Sequence, residues 1–325
     1  MTMQITSARK AWRVAGAAAV ATAFAILGTA SAAGIDVRDA TGRTITIADP
    51  GRIVSIGGSV TEILYALGQE QRIAAVDITS LYPANALKEK PNVGYIRQLS
   101  PEGVLGLSPT LVLASEGAGP KEAVSVIESA KVPFVHVPDQ FTGEGIVEKI
   151  KLIAAATGQD KRGECLVRTV ETDLAALTKI RANVTKPARV VFILSFMNGR
   201  AMIAGKNTAA DGIIRLAGAV NAVSDFEGYK VVSDEALIAA QPDSVLAMER
   251  SNFKLTADEA FSHAAFSVSP AARNKSFVSM DGLYLLGFGP RTAKAARDLA
   301  HSLYPSLETG KLPSESTAPT DTCRS

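Results

Sequence analysis

The sequence predicts an α/β protein: two lobes with mostly parallel sheets, joined by a long helical connector, with a ligand cleft between the lobes. Three observations carry this. Short apolar runs alternate with amphipathic ones through residues 51–144, a stretch of helical periodicity with no strand fills 145–185, and the alternation returns through 186–305. Strands alternating with helices build sheets covered on both faces. Pockets favour domain interfaces and the carboxyl ends of such strands.

Residues 1–32 read as an export signal. Arg9, Lys10 and Arg13 precede an apolar run from Val14 to Leu27, and Ala30, Ser31 and Ala32 offer a small-residue cleavage site. The run is short for a membrane span, so cleavage after Ala32 and a periplasmic location are expected. Residues 33–50 form an N-terminal extension. In the first lobe, 52–56 is a short apolar strand and Gly57-Gly58 a turn. Ser59 and Glu62 then read as a Ser-x-x-Glu capping box for a helix that stops at Gly68. Strands follow at 73–76, 110–114 and 134–137, with helices at 101–107 and 122–130.

In the connector, Ile146, Ile150, Ile153 and Ala154 recur at helical spacing, as do Leu166, Val170, Leu174 and Leu177 beyond a break near Gly158. The second lobe opens with a strand at 189–194 and a polar loop at 197–200 leading to 201–204. A helix at 207–216, a strand at 276–280 and a helix from 291 to about 303 follow. The tail, 306–325, is rich in Ser, Thr and Pro and reads as disordered.

Removing the signal takes away three positive charges and moves the formal balance from +2 to −1, which leaves no footprint for nucleic acid. The single tryptophan, Trp12, leaves with it. Of the two cysteines, Cys165 and Cys323, the second lies in the tail, so no structural bridge is expected, although an oxidising compartment permits one. No cysteine stands at the cleavage site, so nothing suggests a lipoprotein. His136, His263 and His301 lack metal-ligand spacing. No Gly-x-Ser-x-Gly elbow or phosphate loop is present, which points away from an enzyme.

The most informative segment is Pro91-Asn-Val-Gly-Tyr-Ile-Arg-Gln-Leu-Ser-Pro-Glu-Gly-Val-Leu105. It sets a phenol, Tyr95, beside a guanidinium, Arg97, in a Gly/Pro-flanked loop, and a carboxylate, Glu102, at the start of a short helix. A phenolate near a fixed positive charge is a good donor to ferric iron. Residues 233–247 mirror 100–114: both read Ser-x-Glu, an apolar pair, a Pro, then a strand. Glu235 therefore stands where Glu102 does.

This combination resembles the helical-backbone class of substrate-binding proteins that serve ABC importers, which carry cobalamin, ferric siderophores and haem. The opening at 52–68 is typical of that class. Val93-Gly-Tyr-Ile-Arg-Gln-Leu99 resembles the Val-Gly-Tyr-x-Arg-x-Leu segment of periplasmic haem-binding proteins, as do Ala204-Gly-Lys-Asn-Thr-Ala-Ala-Asp211 and Leu285-Leu-Gly-Phe-Gly289. The likeness covers roughly residues 50 to 303.

The resemblance implies that Tyr95 ligates the iron of transported ferric haem, with Arg97 in support. Some relatives carry a His just after the strand that opens the second lobe. Phe196 stands here instead, so no second ligand comes from that place. Phe196 would pack on the porphyrin or the cleft wall. The iron is then expected to be five-coordinate, or six-coordinate with a water or another residue, for which His136 is a candidate, with a half-buried strand His as the plain alternative. The propionates need Arg or Lys; Arg250, Arg291 and Lys206 are candidates, each equally readable as a solvated charge. Phe196, Met197, Tyr229, Phe253, Tyr284 and Phe288 are candidate cleft walls or core. In this class one carboxylate per lobe docks onto the permease, which assigns Glu102 and Glu235; an acidic residue at a helix start also simply stabilises the helix. The implied partners are an ABC permease dimer with its ATPase, and an outer-membrane haem receptor system, with the chain itself a monomer. The same scaffold holding a ferric siderophore or cobalamin is the alternative, and a haem-handling enzyme a distant one.

Overall fold

The alternation folds into two sheets, one per lobe, in the computed structural model, which describes residues 34–250, 254–315 and 323. The export signal lies outside the described residues. An antiparallel hairpin of β1 (Ile35–Arg38) and β2 (Thr44–Ile47) occupies the N-terminal extension. The first lobe follows: β3 (Ile53–Ile56), α1 (Gly58–Ala66), β4 (Ile73–Val76), α2 (Ala86–Glu89), α3 (Pro101–Leu105), β5 (Leu111–Ser115), α4 (Lys121–Ser129) and β6 (Phe134–Val137). Its sheet is wholly parallel, in the order β4-β3-β5-β6. Side chains along β5 alternate between faces, as a strand requires. Leu111 and Leu113 enter the central core, while Val112 and Ala114 pack with Val104 of α3 and Ile127 of α4.

The connector is two helices, α5 (Gly143–Ala156), capped by the Thr142 hydroxyl, and α6 (Asp160–Ala182). The second lobe holds β7 (Arg189–Met197), β8 (Arg200–Ala204), α7 (Ala209–Leu216), β9 (Val220–Asn221), β10 (Tyr229–Val231) and α8 (Asp234–Ala240). It continues through β11 (Ser244–Glu249), α9 (Ala257–Ser262), α10 (Ala264–Ser267), α11 (Pro270–Arg273), β12 (Phe277–Asp281), α12 (Gly282–Leu286) and α13 (Thr292–Leu303). The sheet order is β10-β8-β7-β11-β12, with β9 beside β7. β7, β9, β11 and β12 run parallel; β8 is antiparallel to β7, because the polar loop between them is a tight hairpin, and β10 in turn pairs antiparallel with β8.

The sequence repeat is also a backbone repeat. Ser100 caps α3 by accepting the Gly103 N–H, and Ser233 caps α8 by accepting the Ala236 N–H. After each helix comes a left-handed residue, Ser108 (φ 49°) or Gln241 (φ 41°), then a proline and the central strand β5 or β11. One apolar cluster joins both lobes to the connector, running from Ile53 and Leu113 through Ile150 and Leu166 to Phe192, Leu246 and Leu299.

Three expectations are corrected here. The Ser59/Glu62 capping box does not form: Gly57 is the N-cap of α1 and no side chain caps it. Both residues are buried and bonded elsewhere, Ser59 accepting from Lys149 (3.2 Å) and Glu62 from Arg291 (2.9 and 3.0 Å). The tail is not disordered over its described part. Leu312 is fully buried, and Pro313–Glu315 form a 3₁₀ turn. The Glu315 carboxylate accepts from Arg297 at 2.7 and 2.9 Å, and Ser314 bonds Asp173 through both N–H and hydroxyl. Cys323 forms a disulfide with Cys165, their Cα atoms 5.6 Å apart, where no bridge was expected. Composition averages over a segment, whereas these polar residues each meet a specific partner on α6 or α13. No helix among the described residues is long and apolar enough to cross a membrane.

Candidate functional site

The site grows from the carboxyl ends of the first-lobe strands. Asp77, buried just after β4, accepts the N–H groups of Gly57 (2.9 Å) and Thr79 (3.1 Å) and the hydroxyls of Thr79 (2.8 Å) and Ser80 (3.1 Å). One carboxylate thus knits the loop after β4 to the turn after β3. A side chain at Gly58 would strike the Thr79 carbonyl and Leu283 of the second lobe, so the lobes touch at this turn and only glycine fits. The loop then exposes Ile78, Leu81 and Tyr82.

The segment with Tyr95 lies against this loop. The Val93 N–H donates to the Val76 carbonyl and the Ile78 N–H to the Gly94 carbonyl, both at 2.9 Å. Gly94, at φ +92°, turns the chain at the sheet edge. Beyond it, the Gly119 N–H donates to Ile96 (2.9 Å) and the Leu99 N–H to Gly119 (2.8 Å). Tyr95 and Arg97 are therefore held between the loops that follow β4 and β5. Tyr95 is 38% exposed, and Arg97 is exposed too.

On the second lobe, Tyr229 lies on β10, paired with Ala204 of β8. Burial pushes its phenol up; against this act hydrogen bonds from the Ala210 N–H and the Thr208 side chain, and the charges of Arg97 and Arg250. The charges of Arg97 on one lobe and Arg250 on the other are thus both felt at the Tyr229 phenol. Lys206 is exposed just past β8, and Met197 is exposed at the β7–β8 hairpin. Phe253 lies outside the described residues.

Other candidates are placed differently. Arg291 is bound by both oxygens of Glu62, with Tyr82 stacked at 3.5 Å and Tyr284 at 5.2 Å from its guanidinium carbon. Burial is the largest single influence and lowers its pKa, but the hydrogen bond and charge of Glu62, with Tyr82 and Tyr284, together outweigh it and raise the pKa. Its charge is thus paired with a carboxylate of the other lobe. Phe288 is 1% exposed and packs edge-on against Phe141 at 5.3 Å, so it is core and not cleft wall. The Tyr284 phenol is raised far above its ordinary range by burial and by its 2.7 Å bond to Asp298.

Phe196 stacks on His263 at 5.3 Å and joins the apolar cluster beneath α9 and α10. The register of β7 shifts between Ile193 and Ser195 and turns Phe196 to the face that Ile193 uses. His136 bonds Glu128 at 2.9 Å, which Arg43 holds at 2.7 Å, so it serves an ion-pair cluster on edge strand β6 and not a sixth iron position. His263 accepts the Ala265 N–H as a helix cap, and His301 is exposed. Among the described residues no group of three or more His, Cys, Asp or Glu side chains could hold a bare metal ion.

Glu102 and Glu235 are both exposed in the first turns of α3 and α8. The Glu235 carboxyl is held below its ordinary value by its own backbone N–H and then by the Ser233 side chain. Sequence reasoning missed Tyr82, the Glu62–Arg291 pair and Lys149. Lys149 is fully buried, its ammonium donating to Asp139 (2.7 Å), Ser59 (3.2 Å) and the Phe288 carbonyl (3.3 Å). A charge set between Ile146 and Ile150 on the apolar face of α5 was its available signal.

The profile of the periplasmic binding protein family matches residues 53–283. Among solved structures, the periplasmic heme-binding protein RhuT from Roseiflexus sp. RS-1, in apo form, is 38% identical. It covers 79% of this chain and 99% of its own, with a TM-score of 0.74. An uncharacterised ABC transporter substrate-binding lipoprotein, YvrC of Bacillus subtilis, is 27% identical over 83% of this chain and 86% of its own. The vitamin B12-binding protein of Pectobacterium atrosepticum is 26% identical over 80% of this chain and 91% of its own.

Proposed function

The chain belongs to the periplasmic binding protein family, and on that premise we propose that it captures ferric haem in the cleft through a Tyr95–iron bond and delivers it to an inner-membrane ABC permease. The family and these neighbours are substrate-binding transport proteins, not enzymes. The observation that carries the reading is the exposed phenol of Tyr95 at the carboxyl edge of the first sheet, with Arg97 two residues away. An anionic oxygen donor suits ferric iron, and a nearby guanidinium favours the anion. The apolar rim of Ile78, Leu81 and Tyr82 supports a conjugated, largely apolar cargo. Arg250 and Lys206 are the cationic side chains offered to its propionates.

Export through the signal at 1–32 places this capture in the periplasm. Glu102 and Glu235, on matched capped helices, supply one carboxylate per lobe to a permease dimer with paired basic sites. The heme-binding RhuT neighbour supports the haem reading. The B12-binding relative favours a second reading, cobalamin.

Parallel titrations with hemin and with cobalamin test both. The haem reading expects a Soret band that saturates with hemin, together with a charge-transfer band of Tyr-ligated ferric haem, and no competition by cobalamin. Tighter binding of cobalamin overturns it.

A further inference from the structure

We propose that Tyr82 is a second aromatic contact for the cargo and that Arg291 is the positioning residue that holds its ring in place. This rests on the cleft reading above. Tyr82 is 39% exposed in the loop whose Ile78 N–H bonds Gly94, the residue before Tyr95, so both phenols stand on one strip of the first lobe. An exposed tyrosine ordinarily rotates about two side-chain bonds and loses that freedom when a ligand packs on it.

Here one face of the ring is already covered. The Arg291 guanidinium lies over it at 3.5 Å. Arg291 is itself held by two residues. Glu62, 5% exposed on α1, takes it through two hydrogen bonds of 2.9 and 3.0 Å. Tyr284 stands behind it at 5.2 Å, with its hydroxyl bonded to Asp298 at 2.7 Å. Residues from both lobes thus converge on a single ring and leave its other side exposed. A planar conjugated macrocycle is the chemistry such a surface fits, since rings stack face to offset face. An Arg in this place gives what a Lys does not: a flat cation that stacks on the ring while its edge engages both carboxylate oxygens.

The test uses the processed chain, which holds no tryptophan once Trp12 leaves with the signal. Tyr82→Ala is expected to weaken hemin binding by about threefold to tenfold, the range of one aromatic stack, with the Tyr95 charge-transfer band unmoved. Tyr82→Phe restores wild-type affinity, because only the ring face is used. Unchanged affinity in Tyr82→Ala overturns the contact.

For the positioning role, Tyr82→Trp makes a single fluorescent reporter that needs no cargo. Adding Arg291→Lys to it is expected to raise acrylamide quenching about twofold or more as the ring comes loose. Quenching that Arg291→Lys leaves unchanged overturns the assignment, whatever the cargo proves to be. A wild-type chain that ignores hemin defeats the haem reading instead, and leaves the quenching result standing.

Discussion

The two walls of the cleft rest on the same repeat and are equipped differently. On the first lobe, the segment between β4 and α3 exposes Ile78, Leu81, Tyr82 and Tyr95. On the second, the bulge in β7 turns Phe196 onto His263, and the edge retains Tyr229, largely buried, and Arg250. The helices α3 and α8 nevertheless match, with a serine cap, an exposed glutamate, a left-handed residue and a proline in each. On the proposed function, the scaffold is alike where each lobe would meet half of a symmetric partner, and unlike where both lobes would share one asymmetric cargo.

The largest expected effect tests that asymmetry. Tyr95→Ala should lower hemin affinity by more than about a hundredfold, beyond the ~10–100-fold lost with an outer-shell partner. Arg250→Ala on the opposite wall should lose only about tenfold, in line with truncating one hydrogen bond to a charged group. Hemin titrations of both variants measure the ratio. Equal losses would break the comparison, since both walls would then hold the cargo alike.

The matched helices call for a complementary result. Glu102→Ala and Glu235→Ala should each reduce stimulation of the importer's ATPase several-fold and to a similar degree, since exposed charges act mainly on encounter and register. The double variant should approach background. Hemin affinity should not change in any of the three. If one single variant carries the whole effect, the two faces are not equivalent.

What the residues revealed in advance follows from the range of each signal. Strand and helix positions rest on periodicities of two and 3.6, which are local, so the alternating lobes and the two-helix connector were legible. The Ser-x-Glu repeat was legible because its spacing recurs without a gap. The Arg291–Glu62 pair was not legible because its members are 229 residues apart in sequence. Which face Phe196 joins was not legible either, because one bulged residue reverses it. Phe288 looked like a cleft residue beside Tyr284, but its left-handed backbone (φ 49°) goes with a ring packed into the core against Phe141.

The tail marks a second difference between the lobes: its Cys165–Cys323 link joins α6 to the C-terminal end, and Glu315 ties it to α13. Replacing both cysteines with serine should lower unfolding stability by about 2–5 kcal/mol, the range for a native disulfide in an exported domain. Hemin affinity should stay as it is, because the described tail residues bond to α6 and α13. Denaturant unfolding with and without reductant measures the loss. A fall in affinity equal to the fall in stability would show that the tail also shapes the cleft.

The smallest effect comes from Glu315. The Arg297 guanidinium, through two hydrogen bonds, brings its carboxyl down to about 2. A carboxyl depressed in the folded state stabilises the fold fully above its unfolded value, about 4.3, and loses that contribution as pH falls toward its folded value. Glu315→Gln should therefore melt below the wild type by a constant margin from neutral pH to about 5. The margin should shrink between roughly pH 4 and pH 2 and vanish below that, as the wild-type carboxyl takes up its proton. Paired melting curves across this window measure it. A margin that stays constant down to pH 2 would mean that Glu315 acts through packing at Leu312 and not through its charge on Arg297, and the tail would then be held chiefly by the disulfide and the buried leucine.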